Sequence, residues 1–199
     1  MVAVLKDEPG IRLMPWTFDV SALRSQLDAH PELWNDFDLR TNHPQSPHRD
    51  LDDIFVRYNS RANFTGDRHE FNEPHLSEWW AAAYVLPAAI GISMDVMTLT
   101  GATDLGMVLI TRIPAGRTCY PHQDHGWHAR HFEKYAVQIA SAPGQAFHVD
   151  GDSLSARPGE CYWFNNSLTH SVTNDSTEDR ITMIVCVRTG GSEMDTVGS

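Results

Sequence analysis

Lysine is almost missing from this 199-residue chain, with only Lys6 and Lys134. Arginine carries the remaining positive charge, and 15 basic residues face 26 acidic ones for a formal net charge of −11. No basic run exists to follow a nucleic-acid backbone, so a small-molecule or peptide substrate is the expected partner. Cysteine is scarce and odd in number: Cys119, Cys161 and Cys186 lie far apart and form no C-x-x-C pair. That excludes a disulfide framework and a cysteine zinc site, and predicts three buried, reduced thiols. No apolar run is long enough for a membrane span, because Pro87, Gly91 and Ser93 break the stretch from Trp79 to Met94. The first residues lack the basic flank and apolar run of a secretory signal, so a cytoplasmic protein is expected. A chain of this size buries roughly 70% of its unfolded surface and needs no staple to fold.

Histidine, by contrast, is abundant, with 11 in the chain. It is the commonest metal ligand and the usual acid–base side chain, so its spacing is the first thing to read.

The texture changes near Gly106. Before it, Ala22, Leu23, Leu27 and Ala29 form a helical stripe that His30-Pro31 should end. Residues 42–68 are loop-like except for a strand at 54–58, and residues 74–99 predict two helices broken near Pro87 or Gly91. After Gly106, strands are expected at 107–113, 118–122, 134–140, 146–149, 153–156, 160–164, 169–172 and 180–187, separated by Pro, Gly, Asn and Asp. About eight short strands at this spacing predict an antiparallel barrel or sandwich of jelly-roll type. Helices before strands make the chain α+β, with the helices buttressing one sheet. The expected organisation is one domain over 1–199: a helical and loop part at 1–105, the jelly roll at 106–190 and a flexible tail at 191–199.

The chemistry is carried by His122-Gln123-Asp124, His170 and Arg180. Residues two apart on a strand share a face, so His122 and Asp124 can reach one metal ion. A histidine from a neighbouring strand completes a two-imidazole, one-carboxylate set, the arrangement of non-haem Fe(II) oxygenases. Arg180, reached through the turn at 174–179, is placed to grip a carboxylate bidentately.

These elements carry a resemblance. Leu109-Ile110-Thr111-Arg112-Ile113-Pro114-Ala115-Gly116, Tyr120-Pro121-His122-Gln123-Asp124, Ala142-Pro143-Gly144 and the stretch from Gly159 to Asn174 resemble the aspartyl/asparaginyl β-hydroxylase-like group of Fe(II)/2-oxoglutarate-dependent oxygenases. The likeness covers 107–180, and Ser46 to Ile54 resembles bacterial and phage-encoded relatives. It implies a cupin-like double-stranded β-helix that uses Fe(II), 2-oxoglutarate and O2 to hydroxylate a substrate, releasing succinate and CO2. By the same resemblance His122, Asp124 and His170 hold iron, Arg180 binds the distal carboxylate of 2-oxoglutarate, and Thr111 sits near that cosubstrate. Relatives often carry an arginine and a histidine two apart on the middle strand. Register from Pro143-Gly144 puts Lys134 and Ala136 there, keeping the charge and losing the histidine.

Strand alternation puts Lys134, Ala136 and Gln138 on one face and Tyr135, Val137 and Ile139 on the other, packed on the helices. Lys134 then either lines the barrel and meets an anion, with a cosubstrate carboxylate as candidate, or starts the strand and snorkels to solvent. His125, His128 and His131 read as loop histidines, solvent-facing or hydrogen-bonded, with a pocket role as the alternative. His48 and Arg49 read as organisers of the long loop. Two other functions fit the same residues: a cupin-type dioxygenase or isomerase without 2-oxoglutarate, and a non-catalytic binding module.

Overall fold

The computed structural model describes residues 10–190; the expected tail at 191–199 lies outside them. The strands are β1 (Ile11–Thr17), β2 (Asp52–Tyr58), β3 (Glu78–Trp79), β4 (Ala102–Ile113), β5 (Thr118–His122), β6 (Glu133–Ala140), β7 (Gln145–Val149), β8 (Asp152–Leu154), β9 (Glu160–Phe164), β10 (His170–Asn174) and β11 (Arg180–Thr189). The helices are α1 (Ser21–Ala29), α2 (Arg68–Phe71), α3 (Ala81–Val85), α4 (Pro87–Thr100) and α5 (Trp127–His131). A seven-stranded antiparallel sheet in the order β1-β9-β6-β11-β4-β2-β3 faces a four-stranded one, β5-β10-β7-β8.

Burial patterns along the strands follow from this layering. The small sheet has one wet face, so β7 and β10 alternate between buried and half-buried residues. The central strands of the large sheet are covered on both faces, so β6 is buried from Lys134 to Ile139. Its outer residues Tyr135, Val137 and Ile139 join Leu23 and Leu27 of α1 and Ala89, Ile92 and Val96 of α4 in one core. Its inner residue Ala136 packs with Tyr162 and Phe164 of β9 against Phe147, Val149 and Val172 of the small sheet. The expected α+β jelly roll is therefore correct, and so is the assignment of the two β6 faces.

Pro87 at the first turn starts α4, and Gly101, at φ 66°, ends it by donating to the Met97 carbonyl. All eight expected C-terminal strands form, within a few residues. Two strands in the N-terminal part were not expected. β1 carries Pro15, which argues against a central strand; it lies at the sheet edge, and its register with β9 slips between Leu13 and Thr17. β3 interrupts the stretch expected to be helical, because Trp79 pairs with Arg57 on β2 before α3 begins. Among the described residues, no helix is long and apolar enough to cross a membrane.

Candidate metal centre

His122 closes β5 and His170 opens β10, and the two are cross-strand partners in the small sheet. Their rings lie 4.2 Å apart between centroids. Asp124, just past β5, is held by its backbone N–H, which donates to the Asn166 carbonyl at 3.0 Å. Its two carboxylate oxygens stand 3.8 Å from His122 Nε2 and 3.7 Å from His170 Nε2. The donor atoms of the three residues all lie within 4.8 Å of one another, so the structure brings together the expected triad.

Both imidazoles are set to present Nε2. His122 Nδ1 contacts the Tyr120 carbonyl at 2.8 Å, and His170 Nδ1 contacts the Leu168 carbonyl at 2.9 Å. A carbonyl only accepts, so each Nδ1 carries the proton and each Nε2 keeps its lone pair. Burial, then the neighbouring His170 charge, pushes the His122 pKa down to about 4, and burial also lowers that of His170. The rings are neutral at pH 7, the form that ligates a metal. Burial alone would raise the Asp124 carboxyl, but the Lys134 ammonium and the two histidines outweigh it and hold it below the usual range.

Lys134 is 8% exposed and donates to Asp124 Oδ2. The lysine therefore lines the barrel and does not snorkel, and the anion beside it is the Asp124 carboxylate.

Arg180 lies on the floor of the same cavity at 3% exposure. It donates to Thr182 Oγ1 at 2.6 Å and to Tyr162 Oη at 3.1 Å, and no carboxylate lies within 4.0 Å of it among the described residues. A dry guanidinium with five donors and two neutral acceptors lacks a counter-ion. Thr111 lies directly across β4–β11 from Thr182 and across β2–β4 from Asp53, and its buried hydroxyl interacts with the Asp53 carboxylate without reaching ordinary hydrogen-bond geometry. Arg180 thus offers unfilled donors, and its chemistry fits a carboxylate.

Further functional side chains line the cavity, whose volume is about 880 Å³. His48 packs edge-on against His122, 4.6 Å between centroids, and burial lowers its pKa well below the histidine norm. The segment from Ser46 to Ile54 holds it there. Ser46 Oγ accepts from the His48 N–H, Arg49 stacks on Tyr120 at 3.6 Å, and Asp50 accepts from Tyr120 Oη at 2.8 Å. This motif is thus a strap along β5.

The three histidines expected on a loop part company, and two of them, His128 and His131, lie on α5. His125 is exposed, and His131 contacts Arg188 at 3.1 Å. His128 is buried, and its Nε2 accepts the Met107 N–H at 3.1 Å, a contact that Gly106 permits because a Cβ there would stand 2.9 Å from that nitrogen. Asn166 does more than form a turn, since its Nδ2 donates to the Ala129 carbonyl and ties α5 to the Asp124 loop.

Two antiparallel sheets wrapped around this triad form a double-stranded β-helix. Residues 17–189 match the family described as Aspartyl/Asparaginyl beta-hydroxylase, and the chain belongs to it. Solved structures share the fold at low identity. An oxidoreductase of the 2OG-Fe(II) oxygenase family from Burkholderia pseudomallei is 14% identical over 90% of this chain and 84% of that one, with a TM-score of 0.58. The viral collagen prolyl hydroxylase of Paramecium Bursaria Chlorella virus-1, determined with 2OG, is 8% identical over 91% and 96%, at 0.55. A Trichoplax adhaerens prolyl hydroxylase, in complex with a hypoxia inducible factor peptide fragment, is 11% identical over 90% and 83%, at 0.54. No curated protein matches the chain.

Proposed function

We propose that the protein is an Fe(II)- and 2-oxoglutarate-dependent oxygenase that hydroxylates a small-molecule or peptidyl substrate with release of succinate and CO2. One observation carries the reading: a His-Asp-His set with both Nε2 lone pairs free shares its cavity with a buried arginine that has no counter-ion. His122, Asp124 and His170 would hold the ion, and a three-ligand set of this kind leaves room for cosubstrate. Iron and cosubstrate together supply an oxidant strong enough to attack a C–H bond, coupled to oxidative decarboxylation of 2-oxoglutarate.

The protein's own part is position and dryness. Arg180, fixed by Tyr162 and Thr182, binds the distal carboxylate, and the Thr111 hydroxyl supplies a second donor. Lys134, already at Asp124, is the further cation available to the cosubstrate. Phe147, Phe164 and Ala136 form the apolar wall that keeps water from this end of the cavity. A cupin-type enzyme without 2-oxoglutarate has no use for an uncompensated buried arginine, which is why that reading ranks second.

The test is anaerobic addition of Fe(II) and 2-oxoglutarate to the purified chain, followed by O2 and assay of succinate. Binding of both with succinate formation is the expected outcome. Iron binding without 2-oxoglutarate affinity favours the cupin reading, and affinity for neither favours the binding module.

A further inference from the structure

Cys119 and His48 have no part in the reading above, yet both line the cavity together with His122. Their donor atoms and that of His122 all lie within 4.8 Å of one another, as do those of His122, Asp124 and His170. Two groups of potential ligands thus meet at one histidine. The wide spacing of the three cysteines excludes a site built of cysteines, but not one thiol joined by histidines from other segments.

The backbone explains how the three converge. His122 pairs with His170 and Cys119 with Val172, so three steps along β5 match two along β10. This bulge turns Cys119 and His122, three apart, to the same inward face, where strict alternation would put them on opposite ones. His48 arrives from the strap along β5. Its N–H is held by Ser46 Oγ at 3.1 Å, its carbonyl accepts the Leu51 N–H at 3.1 Å, and the neighbouring Pro47 carbonyl accepts the Tyr120 N–H at 2.9 Å.

The backbone of His48 is therefore fixed while its ring is not engaged. Neither ring nitrogen makes a hydrogen bond among the described residues, although the ring packs edge-on against His122. An imidazole withdrawn from water without a partner carries a desolvation cost, and its free lone pair is the form in which histidine binds a metal. Cys119 is 5% exposed and is the one cysteine that lines the cavity among the described residues. Burial pushes its thiol up to about 12, so it keeps its proton until a metal takes the sulfur. One S–H bond then breaks, one sulfur–metal bond forms, and the proton leaves to solvent. The surrounding field does not bar a cation, because Arg40 and Arg180 near the sulfur are offset by Asp53 and Asp124.

The two groups suit different ions. Two imidazoles and a carboxylate are a set for Fe(II), and exchanging the carboxylate for a thiolate moves the preference toward Zn(II). His122 directs its Nδ1 proton at the Tyr120 carbonyl, so it has a single lone pair to give. The two sets therefore exclude each other.

We infer that His48, Cys119 and His122 form a second metal site, a thiolate and two imidazoles selective for Zn(II), and that zinc bound there takes His122 away from the iron set. With ligand bonds of about 2.1 Å to nitrogen and 2.3 Å to sulfur, closing the site takes side-chain shifts of about 1 Å. The inference concerns metal binding alone and holds whether or not the cavity takes 2-oxoglutarate.

The test uses the full chain, stripped of metal, kept reduced without added thiols and loaded anaerobically with one equivalent of Zn(II). X-ray absorption at the zinc edge should show a sulfur neighbour at about 2.3 Å in the wild type. In Cys119→Ala that sulfur should vanish, leaving zinc with the nitrogen and oxygen donors of the iron set. Calorimetry should show Zn(II) affinity reduced about tenfold or more in both Cys119→Ala and His48→Ala. Fe(II) affinity should match the wild type in both, which also shows that each variant is folded. Zinc with only nitrogen and oxygen neighbours in the wild type overturns the inference, and that measurement needs no variant. Sulfur that persists in Cys119→Ala overturns it as well, as does an unchanged Zn(II) affinity in His48→Ala. A sulfur neighbour in a chain that forms no succinate with Fe(II) and 2-oxoglutarate leaves the zinc site standing and removes the oxygenase reading.

Discussion

The Lys134 ammonium bonds to the same carboxylate, that of Asp124, whose two oxygens face the Nε2 atoms of His122 and His170. In the metal-free chain this lysine compensates the Asp124 charge inside the barrel. A divalent ion held by the three residues would take over that task, so lysine and metal would share one carboxylate.

Lys134→Met should therefore behave differently with and without metal. Removing the cation leaves a buried, unpaired carboxylate, a loss of about 3–5 kcal/mol to the metal-free fold. Saturating divalent metal should restore most of it, so the metal-induced rise in Tm should be larger in the variant. The native Asp124 carboxyl is held below its unfolded value, so its contribution is whole above that value and fades as pH falls through the lowered one. Without Lys134, burial dominates and the acid limb of stability should move to higher pH. An unchanged metal increment in thermal scans would refute the shared-carboxylate account.

His170→Ala removes a ligand whose lone pair is free and whose ring is locked by Leu168. Loss of an outer-shell partner typically costs 10–100-fold in metal affinity, so loss of the ligand itself should exceed about 100-fold. Anaerobic Fe(II) titration measures it; wild-type affinity in the variant would remove His170 from the site.

Arg180→Leu should act on the cosubstrate alone. A desolvated carboxylate that loses its charged partner costs about 2–5 kcal/mol, a rise in the 2-oxoglutarate Kd of about 30-fold to several thousand-fold. Fe(II) affinity should stay the same, since Arg180 contacts Thr182 and Tyr162 and none of the triad. A fall in Tm with no change in Kd would make this arginine structural.

His128 should stay neutral across the physiological range. Burial, with the Lys134 charge second, pushes its pKa down to about 3, and the Met107 N–H occupies Nε2, leaving the proton on Nδ1. The unfolded chain takes up a proton near pH 6.5 and the folded one does not, so this residue makes stability fall as pH drops below about 6.5. Imidazole ¹⁵N spectra should show the Nδ1–H form without titration between about pH 5 and 8. Gly106→Ala drives a Cβ to 2.9 Å from Nε2 and 3.0 Å from Phe132, and should shift that signal and lower Tm. A ring that titrates normally would show that it is not locked.

Much of this molecule is written locally. Strand and turn residues alternate so regularly after Gly106 that every C-terminal strand is legible, and the two-residue spacing points to His122 and Asp124, although Asp124 lies just past β5 and is set there by the Asn166 carbonyl. The same period sorted β6 into a helix-facing apolar set and an inward set containing Lys134. What periodicity cannot carry is pairing between distant segments. β1 looks unlike a strand because of Pro15, and only the edge position beside β9 makes that proline harmless. The sequence left Lys134 open between the barrel and solvent, and its partner was not legible, because Asp124 lies past the end of β5 rather than beside it on a paired strand. His128 reads as one more loop histidine until Gly106 and Met107, twenty-odd residues earlier, close on its ring. The sequence determines which face each side chain takes, since that depends on neighbours two or four residues away. Which charges lose their water, and which partner each then meets, is decided only when the sheets close, because desolvation is a property of the enclosed space and not of the strand.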